Sequence, residues 1–395
     1  MGLSALAKGW QVTGVVAFAL FMDYLIYGLV VPLTLYSPAG ISGEEELGLL
    51  YAGYALGVLC ATPLFGYFGA RIGLKRTMIC GVALSAAATM LFWLAPDFAL
   101  MFLARLLQGG AAAGTWTAGL SLIAAHHVGR RVEMMGYGLM GSTAGSVLGP
   151  VAGGVLYHLG GYSLPFVLTI LLVAIDAFLR IFVLPADRPS GEAPPKLAPL
   201  LLDRSVLIPA GAVGLAAIGW GIVEPIVPSQ LGRAGVSPAA IGLMFTIATI
   251  AYGLSAPLVS WVSERVAVKK VIAGGTVAMA IALPLLSLYR GDVGMTVGLC
   301  LVSISYAFML NPTSAELGNA VDRRGLTCYS AVYAVYNVAY SVGMMGTDAF
   351  ASIASSRLSF LQILLCVSVA LVVATPFLLR DSAAPSPAPQ PSAQK

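Results

Sequence analysis

Of the 395 residues, 58% are hydrophobic and only 10% are charged, whereas a water-soluble domain gives about a quarter of its residues to charges. No soluble fold can hide that apolar excess, so the chain must place much of its surface in lipid. The net charge of +4 is modest, and its one-sided distribution along the chain reports membrane topology, not a nucleic-acid surface.

Crossing the hydrocarbon core takes roughly 20 mostly apolar residues. Windows of that kind run over 12–36, 47–69, 77–95, 98–124, 133–157 and 164–185, and then over 205–230, 238–262, 271–289, 294–320, 326–350 and 359–379. They are long and continuously apolar instead of short and alternating, which predicts helices and not barrel strands. The expected fold is an all-α membrane protein of twelve transmembrane helices in two pseudo-symmetric six-helix bundles. Seventeen basic residues, among them Arg71, Lys75, Arg76, Arg130, Arg131, Arg180, Arg265, Lys269 and Lys270, fall in the loops and termini on one side, against Arg233, Arg290 and Arg357 on the other. That bias places both termini in the cytoplasm and the protein in the inner (plasma) membrane. The first window is too long for a signal peptide, so it is expected to stay in the mature protein.

The predicted organisation is an N-terminal bundle over 1–185, a proline-rich cytoplasmic linker over 186–203, a C-terminal bundle over 204–380 and a disordered cytoplasmic tail over 381–395. The five cysteines, Cys60, Cys80, Cys300, Cys328 and Cys366, are odd in number and share no ligand spacing, so they read as free apolar residues with no metal site and no cofactor. The two halves also resemble each other. Leu47–Tyr51 reappears as Ile241–Phe245, Pro63 as Pro257, Arg71 as Arg265 and Lys75-Arg76 as Lys269-Lys270, all at one constant shift. Six helices repeated in the same orientation imply a two-fold axis along the membrane normal and a substrate cavity between the halves.

Two glycine-containing segments are candidate conformational motifs. The loop after the second helix carries Gly66, Arg71, Gly73, Lys75 and Arg76, and the fifth helix carries Gly145, Gly149, Pro150 and Gly153 in a run of small residues mostly four apart, which makes one helix face nearly flat. Ionisable residues inside the bilayer are costly and mark function. Asp23, Arg105 and Glu224 rank first as proton-coupling candidates, with Glu224 also facing the substrate, while Asp176 is read as a local partner of Arg180 one turn on and His126-His127 as a solvated turn. Tyr24, Tyr27, Tyr54, Trp116, Trp220, Asn311, Tyr333, Tyr336 and Asn337 complete the predicted cavity, since aromatic faces attract cations and amides orient polar ligands. Arg105 is expected to keep Asp23 ionised when the two are close, and Pro225 and Pro228 to loosen the helix just beyond Glu224.

Taken together, the loop around Gly66–Arg76 resembles the signature of the major facilitator superfamily, with Ala70 where the family usually has an acid, and the Gly149-Pro150 run resembles the motif that marks its antiporters. Met22-Asp23-Tyr24, Ala104-Arg105 through Gln108-Gly109, Val223-Glu224-Pro225 and Val332-Tyr333-Ala334 are similar to the vesicular amine transporters and their bacterial drug-antiporter relatives. The resemblance implies a proton-coupled antiporter that exports small amine-bearing molecules by alternating access, acting as a monomer on a small-molecule substrate and protons within the lipid bilayer. Tyr54, Asn311 and Asn337 depart from the charged residues of the vesicular carriers. Export of a zwitterionic or neutral solute such as a metallophore, sugar or amino-acid derivative, and proton-coupled uptake, stay open. An enzyme is not expected, because no nucleophile–base pair, metal set or phosphate loop is legible and no histidine lies in any span except the boundary residue His158.

Overall fold

The computed structural model describes residues 3–33, 44–186, 203–288, 291–323, 329–355 and 357–379. The first half contains α1 (Leu3–Leu33), α2 (Glu44–Ile72), α3 (Leu74–Leu94), α4 (Phe98–His126), α5 (Arg131–Gly160) and α6 (Ser163–Phe182). The second contains α7 (Arg204–Gly221), α8 (Val223–Arg233), α9 (Pro238–Arg265), α10 (Val268–Leu285), α11 (Gly291–Arg323), α12 (Tyr329–Ala354) and α13 (Phe360–Leu378). Among the described residues eleven spans are long and apolar enough to cross a membrane, α7 and α8 counting as one, and α12 completes the expected twelve. The tail and nearly all of the linker expected from the sequence lie outside the described residues.

Local signals set the helix ends. Asp97 accepts the Leu100 amide at the start of α4, Ser237 does the same for α9 ahead of Pro238, and Ser359 and Gln362 form a reciprocal capping box on α13. Gly73 is the single residue between α2 and α3. Its φ of 93° lies in the region that side chains disfavour, which is why a glycine turns the chain there.

The repeat is visible in the packing. In the first half the first helix packs on the fifth, the second on the fourth, and the third on both the fourth and the sixth; the second half repeats this as α7 on α12, α9 on α11, and α10 on α11 and α13. Contacts between halves follow the same symmetry, α2 on α12 and α5 on α9. The shared shift is also kept in the elements, since α3 starts at Leu74 beside Arg71 and α10 at Val268 beside Arg265.

One span departs from the expected form. It breaks between Gly221 and Val223, just before Glu224 and not beyond it. Pro225 has no N–H to offer the Gly221 carbonyl four residues back, so the helical hydrogen bond at that point cannot form. Two of the loop charges counted above are also misplaced: Arg180 and Arg131 are buried, 1% and 3% exposed, because each is drawn inward by hydrogen-bond acceptors on neighbouring helices. The basic asymmetry between the two ends survives without them.

Candidate functional site

Between the halves, at mid-depth, lies a continuous layer of aromatic rings. From α1, Tyr24 and Tyr27 sit three residues apart and so share a face; their ring centroids are 6.0 Å apart. Tyr27 meets Tyr54 of α2 at 4.8 Å, and Tyr24 meets Trp116 of α4 at 5.8 Å. Trp116 stacks on Tyr336 and Tyr340 of α12 across the boundary between halves. Tyr340 reaches Tyr306 of α11 by a 3.2 Å hydroxyl contact, Tyr306 stacks on Trp220 of α7 at 5.3 Å, and Tyr252 of α9 packs on Tyr306 and donates to Asn311 Oδ1 at 2.5 Å. Offset and edge contacts between the rings add to their apolar burial, and the Tyr340, Tyr306 and Tyr252 hydroxyls find partners within the layer.

Glu224, at the first turn of α8, is half-buried at the edge of this layer. Trp220 Nε1–H donates to its Oε1 at 2.8 Å, and the carboxylate acts on Tyr24 of the opposite half. Arg105 is fully buried in α4, over the rings of Tyr27, Tyr54 and Phe92 at 5.3–6.0 Å, and donates to Gln108 Oε1. Spread over aromatic faces, Arg105 occupies a favourable place for a planar cation.

Asn337 does not stand free in the cavity. Its Nδ2 donates to Thr117 Oγ1 at 3.0 Å and to the Ala113 carbonyl at 3.4 Å, tying α12 to α4. Tyr333 lies toward the basic end, donating to the Ser314 carbonyl beside Gly318. Asn311 Nδ2 is buried and has no hydrogen-bond partner among the described residues.

The basic end is closed by contacts across the halves. Arg131 at the start of α5 donates to Asp322 Oδ2 at 2.6 Å, to Asn319 Oδ1 at 2.8 Å and to the Tyr329 hydroxyl at 2.9 Å, while its Nε holds the Ala124 carbonyl of its own half. Tyr329 in turn donates to Asp322. Ser330 donates to the Gly66 carbonyl at 2.8 Å, and Gly69 leaves room for the Ser330 side chain. Arg71 lies over the Tyr67 ring, Lys75 donates to the Leu184 carbonyl at the end of α6, and Arg76 is exposed. Buried Ala70, where an acid would have added a charge, leaves this closure to Arg131 and Ser330.

The glycine run of α5 packs on α1. A Cβ at Gly141 would overlap the Ala17 carbonyl oxygen and one at Gly145 that of Phe21; Gly149 faces Gly28, and Pro150 fills the space a side chain at position 28 would need. Gly153 is buried on the same helix. His127 is half-buried rather than solvated: its Nε2 lies 3.0 Å from both the Gly9 carbonyl and Thr13 Oγ1 of α1, and burial lowers its affinity for a proton below the ordinary histidine value.

Tyr252, Tyr306, Tyr340, Thr115, Asp322 and Tyr329 were not among the residues singled out from sequence. One signal was present: Tyr329, Tyr333, Tyr336 and Tyr340 are spaced four, three and four apart, a single helix face.

Two facing six-helix bundles with buried charges and a mid-depth aromatic layer define a multi-pass membrane protein of the transporter class, not an enzyme. The profile of the Major Facilitator Superfamily matches residues 13–214 and 209–395, and the chain belongs to that superfamily. It is similar to the chromaffin granule amine transporter of Rattus norvegicus, 31% identical over 311 residues that cover 76% of this chain and 59% of that protein. It also resembles the synaptic vesicular amine transporter of Mus musculus, 26% identical over 86% of this chain and 67% of the relative, and the probable vesicular acetylcholine transporter-B of Danio rerio, 27% identical over 92% and 78%. The matched segment thus spans about three-fifths of the length of the first of these relatives.

Proposed function

We propose that this protein is a proton-coupled antiporter that exports small, amine-bearing organic molecules by alternating access, with the basic end in the cytoplasm. The observation that carries this reading is one half-buried carboxylate, Glu224, set at the edge of a layer of tyrosine and tryptophan rings between the halves. An organic ammonium gains from ring faces and from a single anion, whereas a neutral or anionic solute has little use for that combination. The names of the relatives, amine and acetylcholine transporters, point to the same ligand class.

In this reading Glu224 binds the ammonium, with Tyr24 and Trp220 beside it. Asp23 takes up and releases the proton, and Arg105 orders Tyr27 and Tyr54 into the cage. With the basic end closed, solute exchanges with the opposite side; breaking the Arg131 and Ser330 contacts, with the halves turning against each other, would expose the layer to the cytoplasm. A second reading is favoured by one feature: buried Asn311 Nδ2 has no partner among the described residues, and it would suit an oxygen of a zwitterionic or neutral solute.

The test is reconstitution in liposomes with an imposed pH gradient and measurement of solute-driven proton flux. Flux with organic cations, absent with matched zwitterions and neutral solutes, is expected. Flux confined to zwitterions or neutral solutes would transfer the assignment to the second reading, and solute movement without proton flux would end the antiport proposal.

A further inference from the structure

The repeat that relates the two halves also sets two matching stripes on the outside of the molecule. Along α2, Leu64, Tyr67 and Arg71 are exposed and follow one another at spacings of three and four, so they share a face. At the constant shift of the repeat, Leu258, Trp261 and Arg265 do the same along α9. One turn deeper the stripes continue with the exposed Cys60 and Leu254. The eleven residues from Cys60 to Arg71 cover about 16 Å of helix, which matches the roughly 15 Å of hydrocarbon in one leaflet.

Each stripe ends in the same local structure. The Arg71 guanidinium lies over the Tyr67 ring at 5.1 Å, and that of Arg265 over the Trp261 ring at 4.1 Å, with its Nη1 donating to the Trp261 carbonyl at 3.0 Å. A ring covers a flat face of the cation while the N–H donors radiate in its plane, so stacking leaves donors to spare. Among the described residues neither guanidinium makes an ion pair. Other arginines of the same end are matched: Arg130 with Glu133, Arg131 with Asp322 and Arg323 with Glu316. Gly66 and Gly69 of α2 lie against Ala334 and Ser330 of α12, and Gly253 of α9 lies against Met140 of α5, so each stripe runs beside a seam between the halves. The basic end is closed at those seams, which leaves the membrane, not the solute path, as what the stripes meet. Tyrosine and tryptophan rings are at home at the level of the headgroups.

We propose that each stripe binds one anionic phospholipid of the leaflet at the basic end: the phosphate takes the in-plane donors of Arg71 or Arg265, the Tyr67 or Trp261 ring sits at the glycerol level, and an acyl chain lies along the apolar residues. A guanidinium offers a phosphate two parallel N–H bonds. A zwitterionic headgroup carries its own cation beside the phosphate and gains less from an unmatched arginine. The two sites are unequal. Where α9 has the exposed Glu264 next to Arg265, the equivalent position of α2 is the buried Ala70. Arg71, Lys75 and Arg76 therefore act with no acid beside them, whereas Glu264 offsets part of the charge of Arg265, Lys269 and Lys270, and the α2 site is the tighter one. Neither site depends on which solute is carried or on proton coupling.

Native mass spectrometry of the purified full chain in detergent, titrated with phosphatidylglycerol, tests this directly. Two saturable lipid sites are expected, with phosphatidylcholine of the same acyl chains bound about tenfold more weakly. Arg71→Gln should weaken the tighter site about tenfold and Arg265→Gln the other, the loss expected for one charged hydrogen-bonding partner. Glu264→Ala should tighten the second site. Glycerol phosphate, which has the headgroup chemistry but no chains, should displace neither lipid. Equal binding of the two lipids, displacement by glycerol phosphate, Glu264→Ala without tightening, or an equal loss in Arg323→Gln, which removes the same charge from the same end, would overturn the proposal.

Discussion

The closure at the basic end gives the sharpest quantitative expectation. Arg131→Gln keeps side-chain bulk but removes the charge and most donors of a residue that makes three bonds across the halves, to Asp322, Asn319 and Tyr329. Asp322 is 35% exposed, so water weakens the ionic part and each bond is taken at the modest end, about 1 kcal/mol. Losing all three costs the closed form about 3 kcal/mol, which multiplies the share of molecules open at that end by roughly a hundredfold. The readout is alkylation of Ser314→Cys, buried on α11 one turn deeper than Gly318, in a background with the native cysteines replaced. A reagent supplied from the basic end should react about a hundred times faster in the Arg131→Gln protein than in its parent, in proportion to the open share. A rate within twofold of the parent would refute the idea that Arg131 sets this equilibrium.

Glu224→Gln retains shape while removing charge, so affinity for organic cations should drop by tenfold or more, the value of a charged hydrogen bond of about 1.5 kcal/mol, and neutral solutes should be little affected; equal losses in a binding assay would make the carboxylate structural. Gly141→Ala forces a Cβ onto the Ala17 carbonyl and should destabilise the protein by about 2 kcal/mol, whereas Gly154→Ala, with nothing within 4 Å, should leave the melting temperature unchanged or raise it. His127 prefers to be neutral when docked on Gly9 and Thr13, so the unfolded chain binds the proton more readily; melting temperature should fall as pH drops below about 6.5, and His127→Gln should flatten that slope. For topology, Val128→Cys, at a 62% exposed position in the basic loop after α4, should react with an impermeant reagent only in inverted vesicles, and labelling in intact cells would reverse the orientation.

The twelve spans could be read from the chain because lipid makes an uncompromising demand: about 20 apolar residues per crossing, visible without any knowledge of neighbours. The repeat was legible for a similar reason, since Arg71 and Arg265 mark equivalent helix ends whatever packs around them. The break at Gly221 was half legible. Pro225 announces a lost hydrogen bond, but the carbonyl that loses it lies a turn earlier, and the disruption falls there. Arg180 and Arg131 were read as loop charges because a basic residue near a helix end normally snorkels to water. Only the positions of Met78, Thr115, Asn319 and Asp322, contributed by helices remote in sequence, reveal that each has somewhere better to go. The place of Arg105, over the rings of Tyr27 and Tyr54, is of the same kind. Sequence shows how many charges must be matched inside a bilayer, and tertiary packing decides which are matched.

Helix α12 carries Tyr329 and Ser330 in the basic-end closure and Tyr336 and Tyr340 in the aromatic layer, all on one unbroken rod. Eleven residues separate Tyr329 from Tyr340, which is about 16 Å of helix. On a lever of that length, pivoted at the aromatic layer, a tilt of about 10° carries Tyr329 roughly 3 Å sideways, more than a hydrogen bond can stretch. In the proposed transport cycle, a solute that wedged Tyr340 away from Trp116 would pull on the latch at the far end of the same rod, and one too small to do so would leave the latch shut. The girth of a molecule would then be converted into a mechanical signal without any contact between that molecule and the gate.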